Sequence, residues 1–237
     1  MHPLLIKDLG QMEYVAARSL QEKLLKQKQN GQLADTLLLV EHPHVFTIGL
    51  GGKVKNLLDP GEVPVHSTGR GGDITYHGPG QLVVYPLVNL KSTVRRKVHT
   101  YLRNLEKTLI RTLTAYGILA TRRPPWTGVW IGNKKIASIG IAVRSGITYH
   151  GAALNVNSDL TYFKRIVPCG LPWAEVTSMN QELGREVDLA RVKGVFIECF
   201  IKQFRYTGLS KLCHEDIPTG SKLKPQEVPT TSVSSES

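Results

Sequence analysis

Gly128-Val129-Trp130-Ile131, Lys135-Ile136-Ala137-Ser138-Ile139-Gly140-Ile141-Ala142-Val143-Arg144 and Ile147-Thr148-Tyr149-His150-Gly151-Ala152-Ala153-Leu154-Asn155-Val156 are three strand-like runs separated only by Gly132-Asn133 and Ser145-Gly146. Those two dipeptides are the residue types that two-residue hairpins demand, so the runs predict an antiparallel meander. Upstream, Thr36–Val40 reads as a buried strand. Glu41-His42-Pro43-His44 turns the chain into a second, Val45–Ile48. Gly51–Glu62 is a loop with a short helical turn, and Val63–His66 reads as a strand leading into a Gly-rich run. Gln81–Leu90 is a strong strand in which Pro86 marks an edge or a bulge.

Helical periodicity appears three times. Gln11–Lys28 keeps Met12, Val15, Ala16, Ser19, Leu20 and Leu24 on one face and is stopped by Asn30-Gly31. Val94–Tyr116 turns Val98, Tyr101, Leu102, Leu105, Leu109 and Leu113 inward; its outer face carries Arg95, Arg96, Lys97, Arg103, Lys107 and Arg111 against a lone Glu106. Asp188–Tyr206 points Leu189, Val192, Phe196, Phe200 and Phe204 at the core. Asp159–Ile166 reads as a short helix capped by Ser158 or Asp159. Strands that are linked by hairpins and mixed with helices give an α+β fold, a mixed sheet flanked by helices, rather than a doubly wound one.

With 237 residues, 41% of them hydrophobic, the chain suits one domain over residues 1–208. Residues 209–237 read as a polar tail, disordered from Pro218. No run of about 18 apolar residues exists, so no membrane span is expected. The first residues lack the apolar region of a secretory signal. Cys169, Cys199 and Cys213 form neither a disulfide framework nor a zinc-type pair, which fits free thiols in a reducing compartment. Cys199, in an apolar helical pattern, is expected in the core. His42 and His44 around Pro43 read as a turn, and no metal is expected. The net charge of +11 admits nucleic acid, an acidic protein partner, or the habit of a basic compartment such as the mitochondrial matrix. No nucleic-acid motif supports the first.

Three stretches carry chemistry. In Ile166-Val167-Pro168-Cys169-Gly170 a cysteine lies between Pro and Gly, on a loop where it can meet a substrate. Thr68-Gly69-Arg70-Gly71-Gly72-Asp73-Ile74-Thr75-Tyr76-His77-Gly78-Pro79-Gly80 holds five glycines in twelve residues, from Gly69 to Gly80. It fits neither a P-loop nor a dinucleotide fingerprint. Lys134 and Lys135 point to opposite faces if extended; the period does not say which enters a pocket.

These runs resemble the lipoyl(octanoyl) transferase family, the octanoyl-[acyl-carrier-protein]:protein octanoyltransferases. The likeness rests on Arg70-Gly71-Gly72 through Thr75-Tyr76-His77-Gly78-Pro79-Gly80-Gln81, on Gly132 through Lys135-Ile136-Ala137-Ser138-Ile139-Gly140, on His150-Gly151-Ala152-Ala153-Leu154-Asn155-Val156, and on Pro168-Cys169-Gly170. It covers about Leu37 to Met179, and it looks closer to the eukaryotic branch, which implies a mitochondrial location, with a cytoplasmic one as the alternative. The resemblance implies the biotin/lipoate protein ligase-like catalytic fold and no cofactor. It makes Cys169 the acyl-thioester nucleophile and Lys135 the lysine that activates it. Arg70, Gly71, Gly72, Asp73, Ile74, Thr75, Tyr76, His77, Ser138, Ile139, Gly140, Gly151, Ala152 and Ala153 would line the acyl pocket. Implied partners are octanoyl-acyl carrier protein and lipoyl domains, such as glycine cleavage H protein and 2-oxoacid dehydrogenase E2 subunits. Leu171-Pro172-Trp173-Ala174 departs from the family pattern at the pocket rim.

An ammonium beside a thiol favours the thiolate, the form that attacks a thioester. An eight-carbon chain, at ~0.8 kcal/mol per buried methylene, needs an apolar slot. Val83, Ile139, Ile141 and Leu154 are candidates for it, with core packing as the alternative. His77 and His150 either orient the reacting groups or serve structure. Arg95, Arg96 and Arg103 would dock an acidic carrier if their helix flanks the pocket mouth, and backbone amides near Gly170 or Arg70–Gly72 would hold the oxyanion. Two rival readings are an ATP-dependent lipoate/biotin-type ligase with Cys169 idle, and a non-catalytic binder of acylated carrier.

Overall fold

A computed structural model describes residues 3–90 and 97–211. The elements run β1 (Pro3–Gln11), α1 (Tyr14–Gln29), β2 (Asp35–Glu41), β3 (Val45–Ile48), β4 (Val65–Ser67), β5 (Ile74–His77), β6 (Gln81–Leu87), α2 (Val98–Thr114), β7 (Thr121–Arg123), β8 (Trp126–Ile131), β9 (Lys134–Arg144), β10 (Ile147–Asn155), β11 (Glu175–Val176), α3 (Met179–Leu183), α4 (Leu189–Phe204) and β12 (Gly208–Lys211). Single 3-10 turns cover Val54–Asn56, Leu160–Arg165 and Pro168–Gly170. The second is capped by Asp159, whose carboxylate accepts from the Thr161 amide.

A nine-stranded mixed sheet runs in the order β12-β1-β2-β6-β10-β9-β8-β7, with β11 added beside β9; β4-β3-β5 form a small separate sheet. The antiparallel meander β8-β9-β10 forms as its turn residues demand, and the fold class is α+β. Beyond the sequence reading lie β1, which pairs in parallel with both β2 and β12, and β5, inside the Gly-rich run. Strand β12 corrects the start of the expected tail: the chain is still in the sheet at Lys211. Later residues, Cys213 among them, lie outside the described residues.

Alternation along the central strands sends Leu37, Leu39, Leu82, Val84 and Leu154 to one face, under α2 and α4, and Leu38, Val40, Val83, Tyr85 and Ala153 to the other, under α1. Helix α4 buries Val192, Phe196, Phe200 and Phe204, as its spacing predicts; Cys199 is only half-buried. Two faces differ from expectation. Helix α1 buries Tyr14, Ala17, Gln21, Leu24, Leu25 and Lys28, while Val15 is exposed. The polar members of that stripe have dedicated partners: Lys28 Nζ lies 2.7 Å from Asp35, and Gln21 Oε1 accepts from the His150 amide at 2.8 Å. On α2, Glu106 is fully buried instead of outward, taking 2.7 Å and 3.2 Å bonds from Arg103 and the Gly128 amide, and Val98 is exposed.

Pro86 sits in a central strand, paired to Leu37, rather than at an edge. It has no N–H for the β10 side, and the ladder there resumes only at Ala152↔Val84. Opposite the gap His150 takes φ 55°, and its orphaned N–H is the one that Gln21 captures. Proline thus interrupts the β6–β10 ladder without shifting its register, since the Asn89↔Ile147 bridge beyond the gap keeps it.

Candidate active site

Strand β9 carries two lysines at its start, and the sheet separates them. Lys134 is solvent-facing, 4.0 Å from Glu182. Lys135 is only 5% exposed. Its backbone is held on both flanks, opposite Trp130 on β8 and Val176 on β11, and its carbonyl accepts from the Thr177 amide at 3.0 Å. Its side chain runs past Gly128, where a Cβ would sit 2.6 Å from Lys135 Cε; Glu106 holds that glycine from the opposite face of the sheet. The ammonium ends 5.2 Å from the Trp130 ring centre and donates to Cys169 Sγ at 3.0 Å.

Cys169 meets it from a tight turn. The residue has φ 56°, a left-handed conformation that non-glycine residues rarely adopt, and this turns the thiol toward Lys135. The turn is fastened by Gly170 N donating to Val167 O and by Val167 N donating to Asn56 O. Asn56 is held by Asp73, whose carboxylate accepts from Asn56 Nδ2 at 2.6 Å and from the Lys53 and Ile74 amides. Gly170 allows the approach, since a Cβ there would lie 2.5 Å from Asp73 Oδ2. Asp73, in the Gly-rich run, therefore straps the cysteine turn to the small sheet.

A cavity of about 280 Å³ opens from this pair. Of the expected site residues, Arg70, Gly72, Asp73, Ile74, Thr75, His77, Lys135, Ser138, Ile139, Gly140, Gly151, Ala152, Ala153 and Cys169 border it, as does Val83. The remaining candidates are placed elsewhere. Tyr76 alternates away on β5, bonding His44 and stacking on Tyr162. Gly71 supports the site from behind, donating to Ile141 O and accepting from Arg70. Leu154 is fully buried in the core on the α2–α4 face, and Ile141 packs against that core. As oxyanion donors, the Gly71 and Gly170 amides are already bonded to Ile141 O and Val167 O. No residue of α2 borders the cavity, so Arg103 does not flank its mouth; Arg95 and Arg96 lie outside the described residues.

Unforeseen wall residues are Tyr14, Tyr85, Pro125, Trp126, Thr127 and Leu171. At the rim Trp173 packs edge-on against Trp126 at 4.7 Å and carries the Arg123 guanidinium 4.5 Å over its ring. The LPWA departure at 171–174 thus closes the cysteine turn onto β7 and β8. Trp173 lies more than forty residues from Arg123, Trp126 and Trp130, so no local signal announces the contact.

The charged side chains that border the cavity are Lys135, Arg70 and Asp73. Arg70 is buried, and its bonds go to neutral oxygens: Thr47 O at 2.6 Å, Thr47 Oγ1 and Gly71 O. Burial pushes its guanidinium below the ordinary value, and the Cys169 sulfur is the largest group opposing that shift. His77 is pushed down to about 3 and His150 to about 4, both chiefly by burial. Gln81 Nε2 donates to Asn155 and Tyr76 O, so its Oε1 accepts from His77 Nδ1 at 2.7 Å. Both histidines are therefore neutral at pH 7, the Lys135 ammonium lies against the sulfur, and the Arg70 guanidinium and the Asp73 carboxylate border the same cavity. The ammonium beside the sulfur is placed to stabilise negative charge that develops on a carbonyl the sulfur attacks. Among the described residues no His/Cys/Asp/Glu cluster of metal-binding geometry occurs.

Residues 13–201 match the family model described as the lipoyl protein ligase A/B catalytic domain. An octanoyltransferase of Rubrobacter xylanophilus is 46% identical over 199 residues, covering 81% of this chain and 89% of that protein. One from Syntrophotalea carbinolica is 50% identical over 188 residues, covering 79% and 88%. Among solved structures, lipoate-protein ligase A bound with ATP superposes with a TM-score of 0.69 at 14% identity, covering 90% of each chain. A biotin protein ligase of Aquifex aeolicus gives 0.55 at 15%, covering 85% of this chain and 70% of that one. At these identities the structural likenesses speak to the fold alone, the biotin/lipoate ligase-like arrangement that the sequence motifs implied.

Proposed function

Because the chain belongs to the lipoyl protein ligase A/B catalytic-domain family and is an octanoyltransferase, we propose that it works by way of a thioester on Cys169. The observation that carries this is the 3.0 Å contact between Lys135 Nζ and Cys169 Sγ at the edge of the cavity. The thiolate attacks the carbonyl of octanoyl-acyl carrier protein, a tetrahedral oxyanion forms, and the carrier's thiol leaves with a proton. One thioester has replaced another, so this step is nearly balanced. The proton that leaves with the carrier's thiol comes from the Lys135 ammonium, so Lys135 is then a neutral amine beside the acylated sulfur and can take a proton from the incoming amine of a lipoyl-domain lysine. That amine attacks the Cys169 thioester, and collapse of the second intermediate forms the amide and frees the sulfur. Asp73, through Asn56, keeps the turn in position for both steps. The apolar part of the cavity, with Val83, Ile139, Ala152 and Ala153, takes the hydrocarbon. The positive net charge suits acidic carriers and lipoyl domains, and a mitochondrial setting is part of the same proposal.

The test is intact-protein mass spectrometry after incubation with octanoyl-acyl carrier protein, using wild type and Cys169→Ala. A single octanoyl adduct on wild type, lost in the variant, is expected. Transfer from octanoate plus ATP that survives Cys169→Ala would instead support ligase chemistry on this fold.

A further inference from the structure

We propose that Glu106 of α2 is a positioning residue for Lys135, acting across the sheet through the Gly128 amide. The inference rests on the Lys135–Cys169 pair as the reacting site and adds to it a residue from the opposite face.

Glu106 is fully buried between apolar neighbours of its own helix, Leu105 and Leu109. A carboxylate in that layer is costly unless it is bonded. One partner, Arg103, does not require the burial: its side chain is 40% exposed, so the same ion pair could form at the surface. What burial adds is the second bond, from the Gly128 N–H at 3.2 Å. That amide sits where the β8–β9 ladder slips. Ile131↔Lys134 and Trp130↔Lys135 share one register, and Val129↔Ala137 follows another, so Ile136 is an extra residue and β9 bulges there. Next along β8, Gly128 takes φ 133°, backbone that a side chain would strain. Glu106 thus satisfies a backbone donor beside an irregular stretch of the ladder.

Lys135 is laid on that glycine. A Cβ at Gly128 would stand 2.6 Å from Lys135 Cε and 3.3 Å from Nζ, so the end of the lysine rests against the Gly128 backbone. Strand pairing fixes only the lysine's main chain, and its side chain has several rotatable bonds. Its tip is set by the Gly128 floor, by the Trp130 ring 5.2 Å from Nζ, and by the 3.0 Å contact with Cys169. Without its acceptor the Gly128 peptide would be stranded in an apolar layer, and turning it to find a new partner would move the floor. A shift of about 1 Å in a reacting group is enough to cost about 10²-fold in rate.

The experiment compares full-length wild type, Glu106→Leu, Glu106→Gln and Phe200→Ala in octanoyl transfer to a lipoyl domain, with crystal structures of the Glu106 variants. Glu106→Leu should lower kcat per folded molecule by about 10–100-fold. Because Glu106 does not border the cavity, KM for octanoyl-acyl carrier protein should stay within about threefold. The variant's structure should show Lys135 Nζ drawn away from its 3.0 Å contact with Cys169 Sγ. Glu106→Gln keeps an oxygen for the Gly128 amide and should recover kcat to within about threefold of wild type. Phe200→Ala lowers stability from the same face and should leave kcat near wild type. Glu106→Met serves if the leucine variant does not fold. Lys135 unmoved in a folded Leu or Met variant would overturn the assignment. So would a glutamine variant as slow as leucine, or an equal fall of kcat in Phe200→Ala. A missing octanoyl adduct on wild-type Cys169 would defeat the thioester route while leaving a displaced Lys135 in the Leu variant as evidence for this one.

Discussion

The two faces of the nine-stranded sheet solve different problems. Under α2 and α4 lie Leu105, Leu109, Phe196, Phe200 and Phe204, each fully buried, and the principal charge on that side is Glu106 with its two bonds. Under α1 and the small sheet lie Arg70, Lys135, His42, His77 and His150, all nearly as well buried. The same strands supply both faces by alternation, so the contrast is not one of exposure. The first face holds the protein together through apolar area removed from water. The second sets buried Arg70 and Lys135 and neutral histidines around a sulfur, an arrangement that costs stability and suits chemistry.

If that division is real, rate and stability should separate between the faces. The largest effect belongs to Cys169→Ala, expected to lower octanoyl transfer by at least about a thousandfold with little change in melting temperature. Lys135→Met should lower it by ~10²–10⁴-fold in the same assay. On the other face Phe200→Ala, which removes a ring stacked 4.3 Å from Phe204, should cost about 3–5 kcal/mol in urea melts. Its kcat per folded molecule should stay near wild type, and a collapse of kcat in that variant would break the contrast.

Gln21→Leu probes the seam between α1 and the cavity. It strips the His150 amide of its acceptor and should cost about 1–3 kcal/mol, with a smaller loss of transfer. The smallest effect concerns pH. His42 is bonded to Met12 O and Tyr85 and is pushed down to about 4 by burial, from an ordinary value of 6.5. The folded state therefore holds it neutral while the unfolded chain binds a proton. Its contribution is complete above pH 6.5 and is lost as pH falls toward 4. The slope from each such histidine is at most about 1.4 kcal/mol per pH unit. Urea melts of His42→Asn should show a shallower loss between those limits, and an unchanged slope would remove His42 from the account.

The dry face was the more legible one. Phe196, Phe200 and Phe204 recur at helical spacing, and nothing competes with that signal. The stripe of α1 was misread because two of its buried residues, Gln21 and Lys28, are polar and announce burial only through partners more than five residues away, His150 and Asp35. The burial of Glu106 has no signal of its own either, because the Gly128 amide it accepts from lies 22 residues away. Within the site, Cys169, Lys135 and most of the Gly-rich run were recognisable as motifs. Tyr14, Tyr85 and the Trp126–Trp173 rim were not, since each wall residue comes from a different element and carries no pattern of its own.

Sequence alone determined the hairpin meander, the α+β class and the family motifs, because turn chemistry, strand alternation and motif order are local properties of the chain. Only the tertiary structure decided that Lys135 rather than Lys134 enters the cavity, and that a proline in a central strand leaves the His150 amide to Gln21. Those facts depend on which strands become neighbours and in what register, and a one-residue change in register would send each of those side chains to the opposite face.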